Sequence, residues 1–148
     1  AANDIPLATL ALHSQQDAQE VTLLRQKVPH LAVWTADDHW QALNMISSAD
    51  FIISTRLHGL ILAAVANRGF AGLVYDPKVA GFLSEVGAPA FHRPIDQDNL
   101  LRLAHERPKL QPENLLALTQ RAQGGIQWLE KILSSDPLHK TYNGGTII

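Results

Sequence analysis

From Asp50 to Ala66 the chain reads Asp-Phe-Ile-Ile-Ser-Thr-Arg-Leu-His-Gly-Leu-Ile-Leu-Ala-Ala-Val-Ala. Phe51 to Ser54 is a short unbroken apolar and β-branched run, the pattern of a parallel strand buried on both faces. Gly59 to Ala66 offers no polar side, so the helix it forms should be largely buried as well. A buried strand that hands over directly to a buried helix restricts the fold to a layered α/β arrangement, because both elements need cover. Arg56 and His58 stand at the hand-over, where unpaired backbone N–H groups and the helix dipole favour an anion such as phosphate or carboxylate.

The rest of the chain repeats this grammar. Ile5 to Leu12 reads as a first strand, followed by the polar loop His13-Ser14-Gln15-Gln16 and a helix that Asp17 caps, with Ala18, Val21, Leu24 and Val28 at helical spacing up to Pro29. Leu31 to Thr35 is a second strand, and Asp37-Asp38 opens a helix with Trp40, Leu43 and Ile46 (or Ala49) as its apolar face. After the third strand and its helix, Gly69 ends the element and Phe70 to Tyr75 makes a fourth strand. Asp76-Pro77 is a strong helix start, with Asp as N-cap and Pro in the first helical position, and Gly87 closes that helix. Pro89 to His92 reads as an edge strand. Asp96 or Asp98 caps a helix that stops before Pro108, and Pro112 begins a last helix striped with Leu115, Leu118, Ala122, Ile126, Leu129 and Leu133, which Gly124-Gly125 interrupts and could kink.

Alternating strands and helices predict a doubly wound, Rossmann-like parallel sheet of about five strands with helices on both faces and a C-terminal helical segment. The expected strand order is 2-1-3-4-5. In that order ligands bind beyond the carboxyl ends of the strands where the winding reverses, between the first and third strands. The loops there are His13 to Gln16 and Thr55 to His58, with Tyr75-Asp76-Pro77-Lys78 next along the rim. Topology alone therefore gathers His13, Arg56, His58 and Lys78 at one edge of a chain of 148 residues whose net charge is only −2. An anionic ligand accounts for such a gathering. The small net charge gives no field for nucleic acid. With no cysteine, thiolate metal chemistry and disulfides are excluded, and a reducing, cytoplasmic setting is expected. No stretch is long and apolar enough to span a bilayer.

Arg56 offers a planar fork for bidentate binding of carboxylate or phosphate, or it pairs with an acidic neighbour such as Asp50 or Asp76. His58 can act as general acid or base, since imidazole titrates near neutrality, or it hydrogen-bonds a loop carbonyl and merely starts the helix. Lys78 opposes the dipole of the helix it starts, which favours a functional role over a solvated lysine only narrowly. Tyr75 either stacks on a ring or packs the strand end. His13 matters only through the topology that places it opposite Arg56. His30, His39, His92, His105 and His139 are scattered without metal-ligand spacing and read as surface residues, and no carboxylate cluster supports a divalent metal. There is no dinucleotide fingerprint, no P-loop and no nucleophile elbow. Neither metal nor cofactor is expected.

The run Ala49 to Ala64, followed by Tyr75-Asp-Pro-Lys-Val79 and Phe82-Leu83, resembles the carboxyl-terminal half of the polysaccharide pyruvyl transferase family over about Leu7 to Gly87. These proteins are similar in architecture to two-domain glycosyltransferases of the GT-B type, with the active site between two Rossmann-like domains. The resemblance implies transfer of a pyruvyl group from phosphoenolpyruvate to a sugar of a cell-surface polysaccharide, forming a ketal across two hydroxyls. Arg56 would hold the phosphate or carboxylate of the donor and His58 would move the proton. Thr55, Gly59, Tyr75, Lys78 and His13 would be further substrate contacts. Asn67-Arg68-Gly69-Phe70-Ala71 departs from the family in lacking a Gly-x-Pro turn.

On this reading residues 1–135 are one domain, the C-terminal half of a two-domain enzyme, and residues 136–148 are a loose tail. The partners are the donor, a saccharide acceptor and a missing amino-terminal domain, and a lipid-linked acceptor would bring the protein to a membrane surface peripherally. Without the other wall of the cleft the fragment is expected to bind weakly and not turn over. Two alternatives share the fold: a nucleotide-sugar-binding domain of a glycosyltransferase, and a non-catalytic sensor that keeps the anion pocket.

Overall fold

The computed structural model describes residues 6–12, 15 and 17–135. They fall into two compact units divided between Leu110 and Gln111. In the first unit the elements follow one another as β1 (Ala8–Ala11), α1 (Ala18–Lys27), β2 (Ala32–Thr35), α2 (His39–Ser48), β3 (Phe51–Ser54), α3 (Leu57–Val65), β4 (Gly69–Leu73), α4 (Pro77–Val86), β5 (Ala90–Phe91) and α5 (Gln97–Glu106). The second unit contains α6 (Pro112–Ser135). It runs unbroken through Gly124-Gly125. No helix among the described residues is long and apolar enough to cross a membrane.

Among the described residues all strand pairs are parallel, as the alternation requires, but the ladder is divided. β1 pairs with β2, aligning Ala8 with Ala32 and Ala11 with Thr35. β3 pairs with β4, aligning Phe51 with Gly69 and Ser54 with Gly72, and β4 pairs with β5, aligning Leu73 with Phe91. Two small sheets, β1-β2 and β3-β4-β5, therefore replace the single five-stranded sheet expected. Strand and helix alternation fixes the direction and crossover of each unit. It does not fix which strand edges come close enough to exchange backbone hydrogen bonds, and strands of four residues have few such bonds with which to close a seam.

The core sits around β4, whose residues Gly69 to Gly72 are all buried. Successive side chains of a strand point to opposite faces, and here each face has its own helix. Phe70 stacks on Phe82 of α4 at 6.3 Å between ring centroids. A Cβ on Gly72 would overlap Cδ1 of Leu83, so α4 packs against bare backbone there. On the other face Ala71 joins Phe91 and Leu103 of α5, flanked by Phe51, Leu73, Ile95 and Leu100. α3 contributes Gly59, Leu60, Ala63 and Ala64 to the buried interior.

Several local expectations hold and several are corrected. Asp76 caps α4, its carboxylate accepting from the Lys78 N–H at 2.7 Å, and Gly87 ends that helix in the left-handed region at φ 66°. α3 ends earlier than expected. Asn67, at φ 52°, turns the chain, the Arg68 N–H donating to the Ala63 carbonyl at 2.9 Å and the Asn67 N–H to that of Ala64 at 3.0 Å. Gly69 instead opens β4, where a Cβ would meet the Pro108 carbonyl oxygen at 2.6 Å. β3 is not buried on both faces, since Ile53 is 42% exposed. Trp40 does not belong to the apolar face of α2: Ala42 and Ile46 do, and the Trp40 ring tilts against His39 outside.

Candidate functional site

The site begins with Ser54, the last residue of β3. Its hydroxyl accepts from the Arg56 N–H at 3.0 Å and donates to the Arg56 carbonyl at 2.9 Å, so one side chain pins the backbone of the next residue but one. The same carbonyl starts α3 by accepting from the Leu60 N–H at 3.3 Å. Gly59 is buried against this turn. A Cβ there would lie 2.6 Å from Oγ of Ser54, so only glycine lets the helix start this close to the clamped strand end.

Arg56 occupies the N-cap position of α3 and supplies no capping bond. The contrast with other helices is chemical: Asp38, Asp76 and Asp96 each cap theirs by accepting a backbone N–H. The first-turn N–H groups of a helix have no acceptor within it. In α3 the N-cap side chain is a guanidinium rather than a carboxylate, so the cap gives those N–H groups no side-chain acceptor. Such an end is completed by an anion.

The Arg56 guanidinium is not free. Nη2 donates to Oδ1 of Asp17, which precedes α1. Neither of the acidic neighbours expected to compete for Arg56 does so: Asp50 pairs with Arg107 at 3.0 Å, and Asp76 caps α4. Asp17 holds the N-cap position of α1 as expected, yet makes no side-chain bond to that helix. Its carboxylate turns to Arg56. A neglected Asp cap costs about 1 kcal/mol of helix stability. The pairing must offset this, and with the Asp17 side chain only 14% exposed it is better shielded from water than a surface pair.

The other expected site residues are placed as follows. His58 is exposed two positions beyond Arg56, in the first turn of α3, and its ring makes no hydrogen bond among the described residues. Thr55 is exposed beside Arg56. Register puts Gly72 opposite Ser54, so the chain after β4 leaves the sheet at the same edge as the chain after β3. Tyr75 to Lys78 therefore follow β4 at the edge where Thr55 to His58 follow β3. Tyr75 is 68% exposed and does not pack the strand end. Lys78 is exposed in the first turn of α4. His13 lies outside the described residues. The end of β1 reaches the site nevertheless, with Cδ1 of Leu12 at 3.6 Å from the Cβ position of Gly59.

Two roles escaped the sequence pattern. Ser54 reads as the end of a strand, and its clamp depends on the turn that follows. Asp17 reads as an ordinary cap, and nothing in local spacing tells that its carboxylate crosses to a residue far along the chain. His92 and Arg93, both exposed, follow β5 at this same edge, a placement that parallel pairing with β4 makes predictable.

Among known families, residues 7–77 match the model of the polysaccharide pyruvyl transferases, a stretch that runs from β1 to the first residue of α4 and takes in Asp17, Ser54, Arg56, His58 and Tyr75. No curated protein and no solved structure matches the chain. The Arg56 and His58 turn described above falls inside the matched stretch, and over residues 7–77 the chain is similar to the polysaccharide pyruvyl transferase family.

Proposed function

We propose that the carboxyl edge of β3 and β4 binds phosphoenolpyruvate and supports transfer of its pyruvyl group to a saccharide of a cell-surface polysaccharide. The observation that carries this reading is the start of α3: a guanidinium at an uncapped helix N-terminus, with an exposed imidazole two residues on. The phosphate or carboxylate of the donor would take the open part of the Arg56 fork and the first-turn N–H groups. His58 would deliver the proton to the methylene carbon of the enol, leaving C2 electrophilic for a sugar hydroxyl. A second hydroxyl then displaces phosphate and closes the ketal. This route needs no metal or cofactor. Tyr75 offers its ring face to the sugar, and Lys78 a second cation, with Thr55 and Gly59 lining the turn.

Titration with phosphoenolpyruvate, followed by NMR, should shift the amides of Leu57 to Leu60, and shifts confined to other regions would sink the reading. His58→Ala should lower ketal formation by about a hundredfold to ten-thousandfold, the usual worth of a positioned acid or base. Unchanged ketal formation in that variant removes His58 from the chemistry. A glycosyltransferase site on the same fold would prefer a sugar nucleotide, so competition between that compound and phosphoenolpyruvate separates the two.

A further inference from the structure

We propose that Asp17 is a positioning residue for the donor, acting through Arg56. The inference rests on the reading of Arg56 as the donor's anion site, and deepens it.

Among the described residues of the first unit four Asp stand at N-cap positions, and of these Asp17 alone makes no side-chain bond to its own helix. Its side chain is largely covered and meets Arg56 across 39 positions of sequence. A guanidinium at the N-terminus of a helix is repelled by the dipole and, on a long flexible stem, would swing towards solvent. The Asp17 carboxylate opposes that repulsion from the side. Ser54 fixes the other end of the same residue, its hydroxyl bonded to both backbone groups of Arg56. Arg56 is thereby held at backbone and at tip. Only Nη2 is engaged by Asp17, and a guanidinium carries five N–H donors, so the rest of the fork can face an anion.

The experiment measures dissociation constants for phosphoenolpyruvate and for the saccharide acceptor in the full-length protein and its variants. Asp17→Ala should weaken donor binding by about tenfold to a hundredfold, the range expected when a binding group is displaced rather than deleted, and leave acceptor binding unchanged. Asp17→Asn, which keeps an acceptor oxygen, should recover part of the loss. The ¹⁵Nε–H signal of Arg56 should move in Asp17→Ala and return towards its original position in Asp17→Asn. Donor binding that is unchanged or tighter in Asp17→Ala overturns the proposal. So does equal weakening of donor and acceptor, the mark of a purely structural role. Should Asp17→Ala not fold, Asp17→Asn decides alone: a severalfold loss of donor affinity supports the proposal, and none overturns it. Arg56→Ala separates this inference from its premise. If Arg56→Ala abolishes donor binding while Asp17→Ala does not alter it, only the positioning role falls. If Arg56→Ala also binds normally, the donor site is elsewhere and both readings fall.

Discussion

β1-α1-β2 and β3-α3-β4 are the same device twice: short strands in parallel register joined by a helix of similar length. Their burial differs in the helix and in the second strand. α1 has no buried residue, β2 leaves Trp34 37% exposed, and Leu23 and Leu24 of α1 are 50% and 42% exposed. α3 buries four residues and β4 is buried from Gly69 to Gly72. Local pattern explains part of this. α1 is Ala-Gln-Glu-Val-Thr-Leu-Leu-Arg-Gln-Lys and α3 is Leu-His-Gly-Leu-Ile-Leu-Ala-Ala-Val, so only the second can be covered all round without stranding charges. Position explains the rest. β4 has a strand on each side and helices α4 and α5 on its faces, whereas β2 has β1 alone in its ladder. A shared supersecondary unit therefore says little about stability until its neighbours are counted. The candidate site spans this contrast: Arg56 and Ser54 come from the covered half, and Asp17 from the open one.

The contrast is broken most directly by deleting buried volume. Leu83, fully buried against Gly72, should cost about 2–5 kcal/mol on Leu83→Ala, the usual price of a core leucine and its cavity. Denaturant unfolding measures this, and a loss under about 1 kcal/mol would mean that the β4 half is no more tightly packed than the other.

Smaller, and placed at the join, is Gly59→Ala. The added methyl overlaps the Ser54 hydroxyl, so either the serine rotates and releases both backbone bonds to Arg56 or α3 shifts. Overpacking of this kind costs about 1–3 kcal/mol. The sharper expectation is functional: donor affinity should fall by more than stability does, because the clamp on Arg56 is what gives way. A variant with wild-type donor binding would show that the Ser54 clamp is dispensable.

How much of this could be read in the sequence depends on the range of each signal. Asp76-Pro77 and Gly87 bound α4 because their effects act within one turn, and the same holds for Asp38 and Asp96. Arg56 and His58 were legible as neighbours because a strand-to-helix hand-over is local too. The seam between β1 and β3 was not, since hydrogen bonding between distant strands depends on approach of two edges that no spacing encodes. Trp40 misled for a related reason: helical periodicity offers more than one apolar stripe, and tertiary neighbours chose the one through Ala42 and Ile46. Asp17 is the instructive case. Its residue type predicted a cap, and the competing demand of a cation in another segment prevailed, the kind of local rule-breaking that functional sites show.

The mildest test is also the one that most sharpens the comparison. Leu23 belongs to α1, is half exposed, and by the same accounting that condemns Leu83→Ala should be nearly neutral on replacement, within about 0.5 kcal/mol. Leucine and alanine are both good helix formers, so propensity adds little to the balance. Leu23→Ala can be placed beside Leu83→Ala in one series of denaturant melts, where the midpoint should move for Leu83 alone while the slope stays constant. A measured loss above about 2 kcal/mol at Leu23 would require that its side chain expose more apolar surface to water on unfolding than its present exposure allows. The open half would then be covered in solution, and the difference between the two βαβ units would lie in their partners rather than in their sequences.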